Sequence, residues 1–63
     1  MQKEYKGRII DIEVHPLGRR WGWTYSIEGH DVHRLDEAPC EFEHVAVDEA
    51  YAAACALIDR DLY

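Results

Sequence analysis

The chain reads as one α+β domain over 1–63, a three-stranded antiparallel meander with a C-terminal helix packed on its apolar face. Three observations predict this two-layer arrangement. Ile10, Ile12 and Val14 alternate with Asp11, Glu13 and His15. Trp21, Trp23, Tyr25 and Ile27 alternate with Gly22, Thr24, Ser26 and Glu28. The last third changes period, and Tyr51, Ala54, Cys55, Ile58 and Leu62 recur at spacings of three and four. Alternation places successive side chains on opposite faces of a strand, whereas a three-and-four recurrence marks one side of a helix.

The first strand is expected over 8–15, because β-branched residues fill its apolar positions. Pro16-Leu17-Gly18 then marks a turn, since proline presets φ and glycine accepts a left-handed backbone. The second strand follows from Trp21 and is closed by Gly29-His30-Asp31. A weaker third strand is expected over 32–35, pairing with the second. Asp36-Glu37-Ala38-Pro39 breaks the pattern, and Phe42 is expected to anchor the chain in the core as it turns toward the helix.

The helix is predicted over 47–62. Asp48 and Glu49 would then sit in its first turn, where the positive end of the helix dipole favours acids. Ala46 would stand where a Ser or Thr cap is usual. Glu49, Ala53, Ala56 and Arg60 would form the far side, an alanine surface facing water or a second helix. The expected core is Tyr5, Ile10, Ile12, Val14, Trp21, Trp23, Tyr25, Ile27, Phe42, Tyr51, Ala54, Ile58 and Leu62.

A 63-residue chain buries only about 60% of the surface its unfolded form exposes, so its stability is marginal. Hydrophobic residues make up 48% of it, which argues against disorder. No apolar run is long enough to span a bilayer, and the charged N-terminus does not read as a signal peptide. A cytoplasmic location is expected. Cys40 and Cys55 fit it as reduced thiols, with a Cys40–Cys55 disulfide as the alternative.

The net charge of −6 is unevenly placed. Residues 1–34 carry six basic and five acidic side chains, a sum of +1. Residues 35–63 carry Arg60 against eight acids, a sum of −7. That half would repel nucleic acid and anionic lipid, and would suit a basic protein partner or serve solubility.

Three constellations could carry chemistry. His30, His33, Cys40 and His44 are zinc-capable residues in the spacing H-x2-H-x6-C-x3-H. They are the candidate metal ligands, and the plain alternative is histidines in a polar loop. No metal or other cofactor is assigned. Arg19-Arg20-Trp21 sets basic residues beside an aromatic, as in single-stranded nucleic-acid binders, but the parity of Trp21 and Trp23 points both into the core. Asp11 and Glu13 share the outer face with Ser26 or Glu28 close by, yet a flat face gives carboxylates no burial to separate their pKa values. No catalytic residues are assigned, and the chain is not expected to be an enzyme.

The arrangement resembles small uncharacterised bacterial proteins of β-β-β-α layout. The likeness lies in Tyr5-Lys6-Gly7 before a strand, the strand Trp23-Thr24-Tyr25-Ser26-Ile27, and Phe42 followed by Asp48-Glu49-Ala50 at the helix start. Ala38-Pro39-Cys40 and Glu49-Ala50 give a fainter similarity to the N-terminal domain of HicB-type antitoxins, in which a Pro-Gly-Cys-like turn precedes a helix opening with Glu-Ala. The glycine between proline and cysteine is missing here, as is a separate DNA-binding segment. Small size and exposed sheet edges point to a non-enzymatic interaction or regulatory module, a homodimer or the binder of a protein partner. Metal binding and single-stranded nucleic-acid binding are the alternatives.

Overall fold

A computed structural model of the chain describes residues 1–30, 32–35 and 39–60. Four antiparallel strands lie in the order of the sequence: β1 (Gln2–Tyr5), β2 (Arg8–Leu17), β3 (Arg20–Ile27) and β4 (His33–Arg34). Helix α1 (Glu43–Asp59) packs on β3 and β2. The α+β layering is as expected from the alternating and helical periods. The sheet has one strand more, because β1 precedes the first expected strand.

β1 was illegible for a physical reason. Gln2, Lys3 and Glu4 are all exposed, so no apolar alternation marks the strand. Its tight turn holds it instead. Tyr5 pairs with Arg8 across Lys6 and Gly7, whose φ values of 50° and 79° are both left-handed. That combination defines a type I′ turn, whose twist matches the strands it joins. The Met1 amino group donates to the Ile12 carbonyl at 3.0 Å, and the Ile12 amide returns a bond to the Met1 carbonyl at 2.7 Å.

β2 and β3 pair from Ile10↔Ile27 to Leu17↔Arg20. This register puts Ile12 beside Tyr25 and Val14 beside Trp23 on one face. β2 continues past the proline that was expected to end it. Alternation from Ile12 aims the backbone groups of Val14 and Pro16 toward the side where β1 has already ended. The missing amide of Pro16 therefore removes no ladder bond and blocks pairing along that open edge. Beyond β4, Cys40 returns to β3 and exchanges backbone bonds of 2.8 Å with Trp21 in both directions.

Ile10, Ile12, Trp23, Tyr25, Ile27, Cys40, Ala46, Ala50, Ala54 and Ile58 form the buried core. Tyr5, Val14, Trp21 and Tyr51 are half-buried against it. Phe42 corrects its expected anchoring role. It is 55% exposed, caps the helix through its backbone, and stacks on His44 at 5.7 Å. Leu62 lies outside the described residues.

The helix starts four residues earlier than predicted, with Glu43 as the acid of its first turn. Asp48-Glu49-Ala50 therefore lie one turn further in, and Ala46 is an interior position rather than a cap. The buried side is also rotated from the expected one. Ala46, Ala50 and Ala54 are completely buried at spacings of four, with Ile58 below them. Ala56 is exposed and Ala53 half-buried, so the main alanine surface faces the sheet rather than water or another helix. Large side chains on β3 leave room only for methyl groups opposite, and interiors pack to crystal-like density.

Two substitutions test this packing. Ala50→Leu should destabilise by about 1–3 kcal/mol through overpacking, while exposed Ala52→Leu should be near neutral. Equal melting temperatures for the two would refute the assigned helix face. Trp23→Ala should cost about 3–5 kcal/mol, comparable to what one core supplies in so small a domain, and should abolish the cooperative transition in circular dichroism.

Candidate functional site

α1 covers one face of the sheet and leaves the other bare. Register and parity define that outer face. β2 contributes Ile9, Asp11, Glu13, His15 and Leu17, and β3 contributes Arg20, Gly22, Thr24 and Ser26. β4 adds Arg34, paired with Thr24. Of the five large hydrophobic residues that are exposed among the described residues, Ile9 and Leu17 lie on this face and Val32 at its margin. A concentration of apolar surface there is what an interaction site would need.

Two shallow depressions meet on the face. One, of about 230 Å³, is lined by residues that include His15, Leu17, Gly22, Thr24 and Arg34. The other, of about 140 Å³, is lined by Asp11, Glu13, Thr24, Tyr25, Ser26 and Val32. Thr24 is common to both. Gly22 forms part of the floor. A Cβ there would come within 2.7 Å of the Leu17 Cδ1 and 2.9 Å of the His15 Nε2, so its bare backbone lets those two side chains fold inward. The structure thus brings Asp11, Glu13 and Ser26 together as expected, while Glu28 stays out of the depression at the β3 turn.

The other candidate groups are dispersed. His33 stacks on the Tyr25 ring with centroids 4.9 Å apart. His44 is on the first helical turn, and Cys40 is buried beside Trp21. Among the described residues no three of His, Cys, Asp or Glu gather as a metal site would require. Arg19 and Arg20 are exposed, but Trp23 is buried and Trp21 half-buried, so the aromatics offer no open stacking platform beside them. Both cysteines are free thiols. Burial pushes the Cys40 thiol pKa up, and the Glu49 carboxylate beside it acts in the same direction. The Trp23 indole N–H also points at Glu49, at 3.4 Å. Among the described residues no helix is long and apolar enough to cross a membrane.

A polar cluster ties the first hairpin to the end of the helix. Lys6 Nζ bonds Asp59 at 2.6 Å, and the Tyr5 hydroxyl donates to the same carboxylate at 3.0 and 3.1 Å. The Tyr5 ring meets Tyr51 edge-on at 6.2 Å, and Lys3 lies over Tyr51 at 5.5 Å. Asp59 occupies the last helical turn, where the dipole disfavours an anion and no basic residue of the helix compensates. Lys6 supplies the missing cation. Its hydrogen bond is the main cause holding the Asp59 carboxyl below its ordinary pKa, with Tyr5 helping and desolvation opposing. Sequence reasoning missed this cluster, since its partners stand more than fifty positions apart.

Neither protein-family models, nor curated proteins, nor solved structures gave a match to this chain.

Two outcomes follow from these environments. Asp59 is more acidic folded than unfolded, so its contribution is complete above the ordinary carboxylate pKa and lost as pH falls through the lowered folded value. The melting-temperature gap between the parent chain and Asp59→Asn should therefore be present at neutral pH and close below about pH 4. A gap that persists in acid would remove the ion pair as its source. In native alkylation with iodoacetamide, Cys55 should react before Cys40, because burial and a raised pKa both slow thiolate formation. Faster labelling of Cys40 would contradict its placement.

Proposed function

We propose that the chain is a non-enzymatic protein-interaction module that acts as a homodimer. The observation that carries this reading is the outer sheet face, which the helix does not cover and which bears Ile9, Leu17 and Val32 at 37%, 48% and 63% exposure. A sheet face left without a second layer is an incomplete arrangement for so small a domain, and association is a common way to complete it.

The chemistry of the face supports binding over catalysis. Its depressions are shallow and open to water, whereas catalytic pockets desolvate their reacting groups. Tyr5, Cys40, Tyr51 and Asp59 carry shifted pKa values. None of them lines either depression. Shifted groups gathered in a cleft are the usual physical mark of an active site, and these four stand apart from the depressions. A reducing, cytoplasmic setting suits Cys40 and Cys55 as thiols.

Native mass spectrometry of the untagged chain tests the reading. At micromolar concentration the main species should have twice the mass of the chain. A monomer that persists to near-millimolar concentration in sedimentation equilibrium would refute the homodimer.

A further inference from the structure

The geometry points to one mode of association: two copies stack outer face to outer face, with Glu13 of each lying over Arg34 of the other. This rests on the homodimer reading and names its surface, partner and symmetry.

The starting point is one row of the sheet. Glu13 pairs with Thr24, and Thr24 pairs with Arg34. An acid, a small neutral residue and a base thus stand side by side on the outer face. Adjacent strands are about 4.8 Å apart, so Glu13 and Arg34 stand roughly 10 Å apart across β3. Neither residue belongs to an ion pair among the described residues. Both are exposed. Opposite charges held on one face with Thr24 between them leave each available to a partner.

A second copy is the occupant that satisfies both. A twofold axis running along β3 above Thr24 exchanges the two sides of the row. It places Glu13 over Arg34 of the second copy and Arg34 over its Glu13, so one complementary contact occurs twice. Such self-complementarity is the requirement of an isologous interface. The residues along the axis are Gly22, Thr24 and Ser26, which allow two sheets to approach to about 10 Å, the usual separation of packed sheets. Leu17 and Val32 flank the row and contribute apolar area on each side.

The distribution of net charge favours the same arrangement. The chain carries −6, which would oppose self-association if it were spread evenly. Residues 1–34, which supply all four strands, sum to +1, and residues 35–63, which include α1, sum to −7. Packing sheet against sheet therefore joins the nearly neutral layers and keeps the acidic helices on the outside. A helix-to-helix dimer would bring the repelling layers together.

Charge reversal decides the matter by sedimentation velocity and native mass spectrometry. Glu13→Arg and Arg34→Glu each set like charges opposite one another at both contacts, and each should raise the dimer dissociation constant about tenfold or more. The two variants mixed in equal amounts should recover a dimer, because each then meets the opposite charge at both contacts. The double variant Glu13→Arg/Arg34→Glu should dimerise like the parent. Circular dichroism should show all variants folded, as both positions are exposed. A parent dimer indifferent to both single reversals would overturn this face while leaving the homodimer intact. Single variants that weaken the dimer but are not rescued by mixing would overturn the Glu13–Arg34 pairing. A parent chain that stays monomeric throughout would overturn the homodimer reading itself.

Discussion

The fold depends on one size complementarity. β3 presents Trp23 and Tyr25 toward the helix, and α1 answers with Ala46, Ala50 and Ala54, all fully buried. Aromatic side chains fill the space between the layers from the sheet side, so the helix can approach only where its own side chains are single methyl groups. Ile10, Ile12 and Ile27 fill the remainder without residual exposure. Each such isoleucine contributes about 1.5–3 kcal/mol of burial. The site inherits this arrangement, because committing every aromatic of β3 to the helix leaves Gly22, Thr24 and Ser26 for the opposite face.

The edges of the sheet follow a second logic. β1 is only four residues long and carries Lys3 and Glu4, and charged, short edge strands resist pairing with other chains. The Tyr51 hydroxyl lies 3.5 Å from the Glu4 carbonyl, over the outward side of that edge. Pro16 blocks the overhang of β2, and the short β4 with the Trp21–Cys40 bridge covers β3. With the edges closed in these ways, the broad outer face becomes the natural surface for association. The Lys6–Asp59 contact meanwhile fixes the first hairpin to the helix end.

Much of the core was legible from local pattern. The alternation in β2 and β3 identifies Ile10, Ile12, Trp23, Tyr25 and Ile27 as inward, because strand parity allows no other choice once one face is apolar. The same parity places Asp11, Glu13 and Ser26 outward and together. The helix was harder. Its alanines are ambiguous between a good helix former in water and a close-packed contact, and only the facing aromatics resolve them. Phe42 misled for the opposite reason: a large apolar side chain is ordinarily buried, but at the cap its neighbour is His44 rather than the sheet. β1 had no pattern to read, since its pairing depends on a turn and on backbone bonds that any sequence of polar residues can make.

The sequence by itself determined the layers, the inward parity of the two long strands, and the uneven charge of the two halves. These are properties of near neighbours in the chain. Tertiary structure alone decided which side of the helix is buried, that Asp59 finds its cation in Lys6, and that Glu13, Thr24 and Arg34 share one row. Each of those depends on the register between strands or on the height at which the helix crosses the sheet. Register is set by turns and packing acting together, and no single segment contains it.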